Sequence, residues 1–324
     1  MQAIVYNTKG PAAEVLQLVE RARPEPGPGE VRVALAFSGV NPSDVKSRAG
    51  TASSQLSYSE VIPHSDGAGV IDAVGAGVDA GRIGQRVWLY NAQWERAHGT
   101  AAQAVVLPSA QAVALPDDVG LEVGASVGIP RMTAFHAVAR CGSLLGRTVL
   151  VTGGAGAVGA YAVQLAQRAG ARVIATISSL QKADRARALG AAETVNYKEE
   201  DLVARVRELS GGQGVDALID VDAAGHAPLY GSLIREGGRA VIYGSNKPQF
   251  QLGFGPMILG GITLDFFIVY KLRDAALRET VEGVSLLLRQ QLQHPPLSIY
   301  PLAECAAAHQ QVERGADAKV LLKL

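Results

Sequence analysis

Residues 148–159 read Thr-Val-Leu-Val-Thr-Gly-Gly-Ala-Gly-Ala-Val-Gly, an apolar run broken by glycines and followed by a helix pattern. An apolar strand that passes through a glycine turn into a helix is the arrangement that seats a diphosphate. Gly154, Gly156 and Gly159 fit the spacing G-x-G-x-x-G. The first allows the tight turn. The second removes the Cβ that would hold a phosphate away, and the third lets helix and strand pack closely. Free N–H groups around Ala157, Val158 and the helix start then face the anion. One such turn means little in a chain with 37 glycines; the strand before it and the helix after it carry the reading.

From about Arg147 strands and helices alternate. Val149–Thr152, Arg172–Ile177, Glu193–Val195, Val215–Asp220, Arg239–Tyr243 and Ile262–Val269 read as strands. Ala157–Ala169, Leu180–Leu189, Glu199–Leu209 and Pro228–Arg235 read as helices. This rhythm predicts an α/β fold with a doubly wound parallel sheet that binds its ligand at the carboxyl ends of the strands. Before it, Met1–Tyr6, Glu30–Phe37 and Val61–Gly84 carry the alternation and turn residues of a compact β-rich domain ending near Pro116–Leu121. After it, Asp274–Gln293 and Leu302–Arg314 read as helices and Lys319–Leu322 as a terminal strand.

Charge is balanced, 30 basic against 30 acidic residues, which argues against nucleic acid or an acidic membrane surface as partner. The longest apolar stretch, from about Pro256 to Tyr270, is interrupted by Asp265 and is shorter than the ~20 residues a spanning helix needs. The N-terminus has no signal-peptide layout, so a cytoplasmic protein is expected. The six histidines and two cysteines show no ligand spacing, and no metal is expected. There is no G-x-S-x-G elbow. Tyr243 and Lys247 stand four apart, but at a strand end with Pro248 next, so that spacing reads as accidental.

The fingerprint expects an acid at the end of the second strand, where it binds a free ribose 2′-OH. Here that strand ends Thr176-Ile177-Ser178-Ser179, with Lys182 and Arg185 following, and Asp184 comes too late. A carboxylate about 5 Å from a 2′-phosphate costs roughly 3 kcal/mol at an effective dielectric near 20. Its absence, with hydroxyls and Lys182 in its place, points to NADPH rather than NADH. The plain alternative is a solvated helix start, since serine is a good N-cap.

Several further motifs carry a resemblance: Gly39-Val-Asn-Pro-Ser-Asp44, Ile62-Pro-His-Ser-Asp-Gly-Ala-Gly69, Gly84-Gln-Arg-Val87, Leu107-Pro108, Met132-Thr-Ala-Phe-His-Ala137 and Val195-Asn-Tyr-Lys-Glu-Glu-Asp201. With the glycine turn, they make the chain resemble the medium-chain dehydrogenase/reductase superfamily. Within it the chain looks like the zinc-independent NADPH:quinone oxidoreductases, the zeta-crystallin-like group. Where the zinc branch carries a catalytic cysteine this chain has Asn41, and where it carries Gly-His-Glu this chain has His64-Ser65-Asp66. The third ligand cysteine has no counterpart near Val127–Pro130, and the four-cysteine lobe is missing. His64 is one step out of register and has no partner in the sequence.

The resemblance implies a GroES-like catalytic domain over 1–122, completed by 273–324, and a Rossmann NADPH-binding domain over 123–272. It places Asn41 and Asp44 near nicotinamide and substrate, though both are also good turn formers. It gives Thr133 to the nicotinamide-side ribose or phosphate. Ser178, Lys182 and Tyr197 go to the 2′-phosphate. Gly244, Ser245 and Asn246 go to the cofactor after the fifth strand, and Phe267, Ile268 and Val269 to the nicotinamide. Tyr58, Tyr90 and Trp94 are pocket candidates, with Trp88, Tyr90 and Trp94 forming an aromatic group in an expected loop beside the interdomain cleft. The implied activity is hydride transfer from NADPH to a small quinone. The alternatives are an α,β-unsaturated ketone or aldehyde as acceptor, and a non-enzymatic NADPH- or RNA-binding role. A homodimer joined at nucleotide-domain sheet edges is the family expectation.

Overall fold

The computed structural model describes residues 1–51, 55–290 and 292–324. These form two compact units: Met1–Ile129 with Val284–Gln291 and Pro296–Leu324, and Pro130–Gly283 with Leu292–Pro295.

The first unit begins with a hairpin of β1 (Gln2–Val5) and β2 (Gln17–Glu20) around the single turn α1 (Ala12–Val15). The ten-residue β3 (Glu30–Gly39) follows, then α2 (Pro42–Ala49), β4 (Asp66–Val74), β5 (Arg86–Leu89), β6 (Ala104–Pro108) and β7 (Ala112–Ala114). Val31, Val33 and Leu35 alternate inward along β3, as a pleated strand demands, and meet Ile71, Val87, Leu89 and Leu107 in one core. Each such side chain contributes about 1.5–3 kcal/mol of burial.

The long helix α3 (Leu121–Arg140) leads to the second unit. There β8 (Thr148–Val151), α4 (Gly159–Arg168), β9 (Arg172–Ile177), α5 (Leu180–Ala188), β10 (Glu193–Asn196), α6 (Leu202–Leu209) and β11 (Val215–Asp220) alternate. The short helices α7 (Ala223–His226) and α8 (Tyr230–Leu233), then β12 (Ile234–Ile242), α9 (Phe254–Gly260) and β13 (Thr263–Phe266) complete the series. The sheet order is β10-β9-β8-β11-β12-β13, every pair parallel. This is the order of a dinucleotide-binding sheet, with its switch point between β8 and β11. After α10 (Asp274–Leu288) the chain returns to the first unit as β14 (Leu297–Pro301), α11 (Cys305–Glu313) and β15 (Lys319–Lys323). β15 pairs antiparallel with β3, putting Leu321 opposite Gly39, which itself stands opposite Asp66 of β4. Leu302, Ala308, Val320 and Leu322 are drawn onto Ile4, Val40, Val45 and Ile62 by a second core.

Three expectations need correction. The single helix over Pro228–Arg235 is instead α7, a 3₁₀ turn Ala227–Leu229 and α8, with β12 already starting at Ile234. Pro228 sits at the start of that turn, where its missing N–H costs nothing. The helices α2, α3 and α9 lie where none was expected; Pro130 inside α3 masks a 20-residue helix. The expected helix Asp274–Gln293 ends at Leu288, and its residue Gln291 lies outside the described residues. Among the described residues no helix is long and apolar enough to cross a membrane.

Candidate functional site

In the second unit the glycine turn connects β8 to α4. Gly153 is left-handed, with φ 64°. Gly154 and Gly159 are required by closeness: a Cβ would lie 2.6 Å from Ala175 Cβ at the first and 2.1 Å from the Gly153 oxygen at the second. A Cβ on Gly156 would meet only that same oxygen, at 3.2 Å. The fold therefore fixes Gly154 and Gly159, whereas Gly156 leaves an open cradle in front of the N–H groups at the start of α4. Ala157 and Val158 complete the turn. The residues present fit a diphosphate.

The other candidates in this unit line one edge. Ser178 follows β9, Tyr197 follows β10, Gly244, Ser245 and Asn246 follow β12, and Phe267, Ile268 and Val269 follow β13. All stand at the carboxyl ends of parallel strands, where doubly wound folds bind ligands. Thr133 is buried on α3. Ser179 caps α5 by accepting from the Lys182 N–H at 3.3 Å, and the Lys182 ammonium donates to Ser178 Oγ at 3.2 Å. The Tyr197 N–H donates to Ile177 O, which sets residue 197 beside Ser178.

The end of β11 carries a buried network that none of the sequence motifs marks. Asp220 accepts from Thr152 Oγ1 at 2.8 Å, the Tyr230 hydroxyl at 2.7 Å, the Asp222 N–H at 2.9 Å and His226 Nδ1 at 2.8 Å. Burial acts against ionisation of both partners, but their pairing wins: Asp220 falls below its usual carboxylate range and His226 rises above its ordinary value. The Asn246 N–H donates to Asp222 Oδ1, so this network also holds the loop after β12. The available signal was the apolar strand ending in acid at the binding edge.

In the first unit Asn41 precedes α2 and its N–H donates to Asp44 Oδ2 at 2.7 Å. Its side-chain amide is engaged at both ends. Nδ2 donates to Asp66 Oδ2 at 2.8 Å, and Oδ1 accepts from the Lys319 ammonium at 2.6 Å. Lys319 also donates to Val40 O at 3.0 Å and lies 3.4 Å from Asp66. Gly39 makes this meeting possible, since a Cβ there would sit 2.9 Å from Asp66 Cβ and 2.4 Å from Ala125 O. Burial raises Asp66 and lowers Lys319, each opposed by the other's charge. Burial also pushes Asp44 up to about 7. In the sequence Lys319 shows only as the first residue of a terminal strand.

The aromatic candidates separate. Trp88 is not in a loop: it lies on β5, fully buried, with its ring 5.8 Å from that of Tyr90. Tyr90 is buried, and its hydroxyl donates to Ala110 O at 3.4 Å. Trp94 is half-buried. Tyr58 packs on Tyr6, Val15 and Val61. His64, which showed no partner in the sequence, has two within ligand distance: Cys305 and His309, brought back on α11.

A model of the alcohol dehydrogenase GroES-like domain matches residues 27–117, and one of the zinc-binding dehydrogenases matches residues 157–286. A quinone oxidoreductase of Pongo abelii is 30% identical over 341 residues, covering 100% of this chain and 98% of its own. A crystal structure of an NAD-dependent alcohol dehydrogenase matches with TM-score 0.89 and 31% identity over 100% of both chains. A mycobacterial protein complexed with NADPH matches with TM-score 0.86 and 28% identity over 100% of both chains. Fold and matches together define the class: an oxidoreductase that pairs a GroES-like unit with a Rossmann-type nucleotide unit. More narrowly, the chain belongs to the medium-chain dehydrogenase/reductase superfamily, in its NADPH:quinone oxidoreductase group.

Proposed function

We propose that the protein reduces quinones with NADPH by hydride transfer and uses no zinc in that step. The observation that carries the reading is the surroundings of Asn41, which stands where the zinc branch has a ligand cysteine. Its amide is held by Asp66 and by the Lys319 ammonium, so the position offers no thiolate and already contains a cation. A zinc ion does not fit there. Alcohol oxidation needs a Lewis acid for its alkoxide, whereas a quinone is already electrophilic.

Bound NADPH supplies the hydride, and the chain supplies position. The Gly156 cradle and the start of α4 hold the diphosphate. Ser178, Lys182 and Tyr197 hold the 2′-phosphate, a role supported by the hydroxyl–ammonium corner and by the absence of an acid at the end of β9. Thr133, the loop 244–246 and residues 267–269 hold the nicotinamide half. Asn41 and Asp44 are positioning residues that fix the start of α2. The test mixes purified protein with NADPH or NADH and benzoquinone or phenanthrenequinone. The expected result is loss of reduced-nicotinamide absorbance with a quinone, strongly favouring NADPH. Turnover of an alkenal with neither quinone consumed would overturn the quinone assignment.

A further inference from the structure

Three buried side chains converge in the first unit, apart from the glycine turn. His64 stands just before β4, while Cys305 and His309 stand four residues apart on α11 and so share one helix face. One ligand atom from each lies within 4.8 Å of the others. None is more than 1% exposed.

The hydrogen bonds fix the tautomer of His64. Thr100 Oγ1 donates to Asp66 O at 2.5 Å, so it must accept from Ser38 Oγ at 2.8 Å. Ser38 has no second proton and therefore accepts from His64 Nδ1 at 2.9 Å. His64 Nε2 is left with a lone pair, facing His309 Nε2 at 2.8 Å. A ligating histidine is held in this way, one nitrogen bare and the other donating to an oxygen. The backbone keeps the ring there in a left-handed conformation, φ 80°, that a non-glycine residue adopts only when its surroundings enforce it. His309 donates its Nε2 proton to His64, and its Nδ1 is buried with no hydrogen-bond partner among the described residues.

The surrounding charges admit a cation. Arg48, near Cys305 and His309, is paired with Glu313, and Lys319, near His64, is paired with Asp66. Each of these cations is thus already offset by an acid, and Asp44 adds a further carboxyl near Cys305. An ion bonded at about 2.0–2.1 Å to two imidazoles needs their nitrogens about 3.3–3.6 Å apart. The two rings need to part by less than an ångström.

We propose that His64, Cys305 and His309 bind one borderline-to-soft metal ion, Zn²⁺ or Cu⁺, that staples the C-terminal helix α11 onto the β unit. Thiolate and imidazole together select these ions. On binding, the His309 proton moves from Nε2 to the unpartnered Nδ1, the Cys305 thiol proton leaves to solvent, and one proton is released per ion. The site uses none of the nucleotide-binding residues and does not depend on the proposed reaction.

The test titrates chelator-stripped full-length protein with Zn²⁺, with Cu⁺ under anaerobic reducing conditions, and with Co²⁺ as optical reporter. Zn²⁺ or Cu⁺ is expected to bind at one ion per chain, release one proton and raise the melting temperature. Which of the two binds tighter assigns the ion. Co²⁺ is expected to show a thiolate charge-transfer band. Cys305→Ser is expected to abolish that band, and His309→Gln to weaken binding on the order of 100-fold or more. Ser38→Ala, which removes only the hydroxyl on His64 Nδ1, should weaken it about 10–100-fold and keeps the test decisive if a ligand variant fails to fold. Absence of stoichiometric binding by any of the three ions, or equal binding by the folded variants, would overturn the proposal.

Discussion

Lys319 and Asp66 form an ion pair with neither partner more than 2% exposed. Removing one partner of such a pair leaves the other charge buried, so Lys319→Met should cost about 3–5 kcal/mol in urea unfolding. Adding Asp66→Asn to that variant should recover most of the loss, an outcome that a simple packing defect would not give. Asp44 sets a pH dependence of definite sign. Its folded pKa, about 7, lies above the ordinary 3.8, so the folded state holds its proton more tightly. Below about pH 4 the group costs nothing; as pH rises towards 7 its burial removes stability, on the order of 4 kcal/mol when complete. Asp44→Asn should therefore gain on the wild type between pH 4 and 7, seen as diverging urea midpoints, and parallel curves would refute the assignment. The turn chemistry of Asn41 and Asp44 was legible because the two sit in a short contiguous motif. Lys319 was not, because it meets Asp66 across 253 residues, and a strand pattern does not say which strand it will pair with.

At the scale of elements, the parallel sheet was read well because each strand is a short apolar run closed by a turn, and each crossover helix follows in sequence. Contiguity is also why the sequence alone places each glycine of the turn between β8 and α4. Pro130 inside α3 and the 3₁₀ turn between α7 and α8 defeated the same reading, since tertiary packing there overrides the local proline signal. The turn now separates two roles that its sequence motif merges. Gly159→Ala would force a Cβ to within 2.1 Å of Gly153 O and should cost about 2–3 kcal/mol of stability. Gly156→Ala, with its nearest neighbour at 3.2 Å, should keep stability within about 1 kcal/mol yet weaken NADPH binding tenfold or more. Fluorescence titration alongside thermal unfolding separates the two effects. At the end of β9, Lys182→Ala should weaken NADPH about tenfold and leave NADH unchanged, the expected loss of one hydrogen bond to a charged group. An equal loss for both cofactors would place Lys182 elsewhere.

At the scale of the whole molecule, the second unit's sheet ends on β13, whose outer edge is paired with no strand among the described residues. Edge strands of soluble proteins are usually protected by charge, bulge or cover. Here the strand's one acid, Asp265, is spent on a bidentate pair with Arg140. Around it Phe266 and Ile268 are 54% and 45% exposed, and on α9 Phe254, Ile258 and Leu259 are 76%, 62% and 83% exposed. Apolar residues gathered at an open edge mark an interface rather than a solvated surface. A second copy about a two-fold axis would satisfy both needs, because the same edge would meet itself and its N–H and C=O groups would pair antiparallel. The wild type should therefore sediment as a dimer. Ile258→Lys with Leu259→Glu, both on an exposed helix face and neither among the residues assigned to the cofactor, should give a folded monomer that binds NADPH as before. Sedimentation velocity across a concentration series measures this. A wild type that stays monomeric at high concentration, or a charged variant that stays dimeric, would mean that this edge is covered by something other than its own copy.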